Sequence, residues 1–123
     1  MNTIDLRRCA DGAALRRALC RARRLPCWRD WRWQMRQALD GADLARLGLL
    51  PDARAAEAAR RYPARVTPYY LCLALSAGEN ADDPVRRQWQ PDGRELIKAA
   101  SCCADPFDEA GQTVLPGVVH RFS

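Results

Sequence analysis

Apolar residues recur at spacings of three and four in the first part of the chain, which is the spacing of one face of an α-helix. In the stretch GAALRRALCRARR, Leu15, Leu19 and Ala22 share a face, and arginines occupy the others. Asp11 precedes the stretch and is a favoured N-cap, because its side chain accepts a hydrogen bond from a free backbone N–H. The pattern predicts a basic amphipathic helix that begins after Asp11 and is ended by Pro26.

The next segment, CWRDWRWQMRQALDG, is predicted to form a second helix that closes at Asp40-Gly41. Trp28, Trp31 and Met35 are separated by three and four residues. This spacing places them on one helix face, so it favours Trp28 and Trp31 as core residues among the three tryptophans of the segment.

Short helices are also predicted in ADLARLG and in PDARAAEAARRY, which Pro63 must stop. Asp92, with Glu95 three residues later, predicts a helix in GRELIKAA. Three more helix starts are predicted where a capping residue precedes a proline suited to the first helical position. They are Thr67-Pro68, Asp83-Pro84 and Asp105-Pro106.

Strand patterns are weak by comparison. No run of four to eight residues alternates convincingly between apolar and polar, although TVLPGVV near the C-terminus could be extended. The sequence therefore predicts an all-α fold: a small irregular bundle of short helices with an extended C-terminal tail. Such short helices are marginal alone, so their apolar faces must pack on each other or on another chain.

Composition is that of a globular domain. The chain has 123 residues, of which 48% are hydrophobic and 28% charged, and no apolar stretch approaches the roughly 20 residues of a membrane span. The N-terminal MNTIDLRRCADG lacks the apolar core of a secretory signal. We therefore expect a cytoplasmic protein that does not enter a membrane and whose six cysteines are reduced thiols.

The formal charge of +5 is concentrated in the first third, where ten arginines between Arg7 and Arg36 face only Asp11 and Asp30. Clustered arginines near tryptophans are typical of nucleic-acid-binding surfaces. They are equally typical of a solvated helix face above a tryptophan core, and net charge indicates non-specific association rather than function. Nucleic-acid binding is therefore an alternative, and not the preferred interpretation.

Residues that support catalysis or metal binding are scarce. His120 is the only histidine, which leaves a nucleophile–base pair with little support. The cysteines lack the close pairs of a zinc site and the compact motif of an iron–sulfur cluster. Lys98 lies in the predicted GRELIKAA helix without a phosphate cradle and is interpreted as a surface lysine. We assign no catalytic and no metal-binding residue to the chain.

Five blocks of the sequence resemble, in the same order, the N-terminal part of the lysine 2,3-aminomutase family. They are WRDWRWQMRQAL, VTPYYLCL, DPVRRQWQPDGREL with its KAA continuation, DPFDE and LPGVVHRFS. The resemblance divides the chain into a basic, arginine-rich leader helix at 1–25 and an aminomutase N-terminal helical domain at 26–123. Members of the family are radical S-adenosylmethionine isomerases that use pyridoxal phosphate and a [4Fe-4S] cluster to move an amino group between adjacent carbons.

The resemblance implies that the extended tail leads into a TIM-type radical S-adenosylmethionine barrel. In the family the cluster cysteines, the S-adenosylmethionine site and the pyridoxal lysine all follow that point. The implied protein is therefore a non-catalytic N-terminal portion, truncated or acting with a separate catalytic chain, that binds no cofactor alone. Its implied partner is the barrel, in cis or in trans, and the full-length relatives are implied to be homo-oligomers.

Two residues are implied as cofactor ligands. Arg121 matches an arginine that lies near the pyridoxal phosphate in the family, where its guanidinium can grip a phosphate, and Phe122 follows it in place of the usual tyrosine. The substrate stays open among lysine, glutamate, arginine and a protein lysine.

A stand-alone interaction module is a further alternative. An interaction module and an aminomutase N-terminal portion both require exposed apolar helix faces that pack on a partner. The residues expected on such faces are Trp31, Tyr69, Tyr70 and Trp89.

Overall fold

The computed structural model describes residues 4–76, Gly78, 83–98 and 103–119. The α-helices of this part are α1 (Gly12–Ala22), α2 (Trp31–Arg36), α3 (Gly41–Arg46), α4 (Ala53–Arg61), α5 (Pro68–Ser76) and α6 (Pro84–Trp89). Short 3₁₀ turns lie at Leu6–Arg8, Pro26–Arg29 and Gly93–Leu96. The strands are β1 (Leu39–Asp40), β2 (Arg65–Val66), β3 (Thr113–Leu115) and β4 (Val118–Val119).

The predicted all-α bundle with an extended tail is confirmed. The strands are two or three residues long and form two antiparallel pairs, β1 with β2 and β3 with β4. The second pair is the segment expected to be extended, and Gly117 supplies the positive φ of 83° that its turn uses. Among the described helices, none combines the length and apolar composition of a membrane-spanning segment.

Aspartate side chains begin several helices. Asp11, Asp52 and Asp83 accept hydrogen bonds of 2.7, 2.8 and 2.9 Å from the backbone N–H three residues further on. These bonds satisfy N–H groups that have no partner inside the helix. The predicted starts at Asp11 and Asp83 are confirmed, and α5 begins at Pro68 as predicted.

The prediction of one long helix after Pro26 is wrong. Asp30 has an extended backbone and caps a new helix, α2, through a 2.9 Å bond from the N–H of Arg32. Asp40 does not close a helix with Gly41, because its side chain accepts a 2.9 Å bond from the N–H of Asp43 and begins α3. Local capping therefore divides a segment whose apolar spacing alone appeared continuous.

Two segments that were predicted to form helices form short turns instead. The Asp105-Pro106 segment forms a turn, in which the Asp105 side chain accepts a 2.8 Å bond from the N–H of Ala110. The Asp92–Glu95 capping box is present as predicted, but it begins the 3₁₀ turn Gly93–Leu96, and the chain becomes extended at Ile97. Lys98 consequently lies beyond the turn and is exposed.

The core is formed by leucines from several elements. α1 contributes Leu15 and Leu19, and α5 contributes Leu71. The other large members are Leu6, Trp33, Leu39, Leu44, Leu47, Leu49 and Val66. Because α1 lies within the predicted leader 1–25, that leader shares this core, and its separation from 26–123 stays a prediction that rests on the resemblance.

Candidate functional site

Helices α2 and α5 are joined by one side chain, Gln34. Its Nε2 donates a 2.9 Å hydrogen bond to the carbonyl of Trp28, and its Oε1 accepts a 2.9 Å bond from the N–H of Tyr69. The second bond satisfies one of the free N–H groups in the first turn of α5. Gln34 therefore fixes the turn before α2, α2 itself and the start of α5 relative to one another.

Aromatic rings pack around this junction. The ring centroids of Trp28 lie 6.1 Å from Trp33 and 6.3 Å from Tyr69, and Tyr69 meets Tyr70 edge-on at 6.1 Å. These separations are within the range in which aromatic pairs attract each other. The row of rings thus runs from the buried Trp33 through the half-buried Trp28 to two exposed tyrosines.

The two exposed tyrosines of this row belong to a larger group of apolar side chains that the described residues leave exposed. Trp31 and Met35 are one helical turn apart in α2, and Tyr69 and Leu73 are one turn apart in α5. With Tyr70 they are between 42% and 65% exposed. We call this surface the α2–α5 face: Trp31, Met35, Tyr69, Tyr70 and Leu73.

Arginines border the α2–α5 face. The Arg32 guanidinium lies 4.8 Å from the ring centroid of Trp31, in position for a cation–π interaction. Arg65 donates a 2.9 Å bond to the carbonyl of Met35. An apolar centre with a charged border is the usual anatomy of a surface that packs on another protein.

The prediction that Trp28 and Trp31 are core residues is wrong for Trp31. Trp31 is 65% exposed and Trp33 is 5% exposed, because the new helix that begins after Asp30 turns Trp33 inward. Trp28 is half-buried and packs against the core. Trp89, also expected on a partner-seeking face, is half-buried against the same core.

The predicted cofactor ligands Arg121 and Phe122 lie outside the described residues, as does His120, so their role stays a prediction. Within residues 4–76, 78, 83–98 and 103–119, no three His, Cys, Asp or Glu side chains are grouped as metal ligands. The described cysteines are free thiols at Cys9, Cys20, Cys27, Cys72 and Cys103. The described residues therefore do not supply the thiolate set of an iron–sulfur cluster.

Among the groups of the described part of the chain, two have a clearly shifted pKa, and neither lies on the α2–α5 face. Burial raises the pKa of the Cys9 thiol, so the thiol is held neutral. Hydrogen bonds from the Arg94 side chain and backbone lower the pKa of Asp92 to about 2. Both shifts belong to local structure, since Cys9 lies against the core and Asp92 caps a turn.

The short helices and their exposed aromatic face define a small helical-bundle domain. Its sequence is 37% identical over 101 residues to an L-lysine 2,3-aminomutase of Acetoanaerobium sticklandii, a match that covers 77% of this chain and 23% of that protein. The enzymes of the same name from Clostridium subterminale and Bacillus subtilis are 34% and 29% identical over 99 residues.

The chain belongs to the lysine 2,3-aminomutase family, where its match is consistent with the N-terminal region. It spans 21–26% of the length of the curated relatives that it matches. No family model and no solved structure matches the chain.

Proposed function

We propose that this chain is the non-catalytic, N-terminal helical portion of a lysine 2,3-aminomutase-type isomerase, and that it works packed on a catalytic barrel, in cis or in trans. The relatives that support this proposal carry the name L-lysine 2,3-aminomutase and are matched over about a quarter of their length. Pyridoxal phosphate, S-adenosylmethionine and the [4Fe-4S] cluster would then be held by the remainder of the assembled enzyme.

The observation that carries the proposal is the uncovered α2–α5 face. Each of its five side chains is large and apolar, and burial of apolar surface contributes roughly 25 cal/mol per Å². Large apolar side chains exposed on two joined helices indicate an interaction surface in a folded protein. We infer that the barrel covers it.

The α2–α5 face is also held in place before a partner arrives. The Gln34 side chain is hydrogen-bonded to the backbone of both Trp28 and Tyr69, and the Trp28 ring packs against the Tyr69 ring. A surface fixed in this way loses little conformational entropy on docking, so more of its burial energy appears as affinity.

For the assembled enzyme we propose free lysine as the substrate, because the matched relatives are named for L-lysine. An assembled enzyme given lysine, glutamate or arginine in separate reactions tests this directly. Faster conversion of glutamate or arginine than of lysine would reject it.

The proposal is tested by mixing the chain with the catalytic part of the Clostridium subterminale relative, prepared without the region that matches this chain. Size-exclusion chromatography is expected to show a complex. The double variant Tyr70→Asp/Leu73→Asp should weaken the complex at least about tenfold, because it places two charges in the buried interface.

Ile97→Asp is the matched control, since Ile97 is a 64% exposed apolar residue outside the α2–α5 face. It should leave the complex intact. The proposal fails if no complex forms, or if the control variant weakens it as much as the double variant does.

A further inference from the structure

A groove of about 860 Å³ lies between the N-terminal segment and α1. Its lining combines apolar groups with arginines and contains none of the residues of the α2–α5 face. The role proposed above for the chain does not use this groove.

The floor of the groove is apolar. Ile4 and Cys9 reach it from the N-terminal segment and pack against the core, and Ala14 and Ala18 reach it from α1. The Cys9 thiol is neutral because burial raises its pKa. The floor therefore offers an uncharged surface.

The walls of the groove carry four arginines and one aspartate. Asp5 is paired with Arg8, with 3.2 Å between Oδ2 and Nε, and Arg16 donates a 3.4 Å bond to the carbonyl of Leu75. No ion pair to Arg17 or Arg21 is present among the described residues. These two guanidinium groups leave the groove with an excess of positive charge.

We propose that this groove binds an acidic amphipathic helix of a partner protein, with apolar side chains on the floor and carboxylates on Arg17 and Arg21. A helix that lays its apolar face into a groove is a common recognition mode. The planar fork of arginine matches a carboxylate with two hydrogen bonds. Opposite charge also speeds the encounter and selects against basic partners.

Nucleic acid fits the groove less well. None of the residues that line it is aromatic, so the groove offers no platform for stacking bases. A phosphate backbone would engage the arginines but would leave the apolar floor unused.

The test uses a synthetic helical peptide with leucines at spacings of three and four and glutamates on the flanks. The same peptide with lysines in place of the glutamates is its control. Titration calorimetry should detect binding of the acidic peptide only. Chemical-shift changes in the unmodified protein should centre on the amides of Ala14 and Cys20.

The protein variant is Arg17→Glu/Arg21→Glu, which should weaken acidic-peptide binding at least about tenfold. The matched control is Arg23→Glu/Arg24→Glu, which changes the same charge on residues outside the groove lining. It should change the affinity less than about twofold, because rim charges away from a contact contribute little. Circular dichroism confirms that both variants are folded.

Three results would overturn the proposal. The first is an equal loss of affinity in both double variants, which would indicate non-specific charge. The second is duplex DNA that binds through Arg17 and Arg21 more tightly than the peptide does. The third is self-association of the chain through the same two arginines, which would make a second copy the occupant.

Discussion

At the scale of single residues, Trp31 and Trp33 show how the backbone decides what an apolar side chain does. They lie two positions apart in α2, and an α-helix rotates about 100° per residue, so they point to nearly opposite sides. Asp30 begins the helix and thereby sets which of the two turns inward. Trp33 supports the core, and Trp31 is left on the α2–α5 face.

Leu71 and Leu73 offer a matched test of burial within α5. Leu71 is 0% exposed and Leu73 is 42% exposed. Leu71→Ala is expected to lower the free energy of unfolding by about 2–5 kcal/mol, because it leaves a cavity in the core. Leu73→Ala should cost less than about 1 kcal/mol. Urea denaturation of both variants measures the difference, and equal losses would contradict the described packing.

Asp92 provides a prediction about pH. Its pKa is lowered from 3.8 to about 2, chiefly by the hydrogen bond from the Arg94 side chain. Folding lowers this pKa, so the ionised carboxylate stabilises the fold above pH 3.8, and this contribution is lost as the pH falls through about 2. An NMR titration of the Asp92 carboxyl carbon measures the value.

Arg94→Gln should raise the pKa of Asp92 toward 3.8, because the largest cause of the shift is removed. Arg87→Gln is the control and should change the pKa only slightly, since Arg87 contributes least among the causes. A carboxyl that titrates at its ordinary value in the unmodified protein would show that the Asp92–Arg94 contact does not persist in solution.

At the scale of elements, the sequence predicted where helices begin better than how far they continue. A start at an aspartate depends on one side chain bonding to the backbone nearby, which makes Asp11 and Asp83 recognisable. The start of α5 is recognisable from Pro68, whose fixed φ suits the first helical position. Length depends on packing between distant segments, which the pattern does not contain. The short turn after Asp92 was missed for that reason. The start at Asp30 is a local cap, and it was missed because the apolar spacing on either side of it appeared continuous.

Parts of the candidate site could also be predicted. Tyr69 and Tyr70 were expected on a partner-seeking face, and they are exposed. Trp31 was assigned both to that face and to the core and is exposed, and Trp89 was expected on the face but is half-buried. Met35 and Leu73 were missed as members of that face, because apolar spacing alone does not distinguish a buried helix side from an uncovered one. The available signal was the position of Leu73, four residues after Tyr69 in the same helix.

Gln34 gives a prediction at this scale, since one side chain joins two helices. Gln34→Ala should lower the free energy of unfolding by about 1–3 kcal/mol, because it removes two hydrogen bonds. Hydrogen exchange at the Tyr69 amide should accelerate. Gln88→Ala, on an exposed position of α6, is the control and should change stability by less than about 0.5 kcal/mol. Unchanged exchange at Tyr69 would rule out the Gln34 junction.

At the scale of the whole molecule, the chain has a buried leucine core and, outside it, a group of exposed apolar side chains. α1, α3 and α5 bury their leucines together, so the module has a core of its own. The α2–α5 face lies outside that core and is exposed. This division of surfaces agrees with the proposed packing of the chain on a catalytic barrel.

The central claim is that this chain takes part in catalysis only when it is assembled with a catalytic barrel. The direct measurement is an anaerobic assay of L-lysine isomerisation, with iron, sulfide, S-adenosylmethionine and pyridoxal phosphate supplied. The chain is assayed alone and after mixing with the catalytic part of the Clostridium subterminale relative. We predict no movement of the amino group by the chain alone and turnover in the mixture. Turnover by the 123-residue chain unaided would contradict the account.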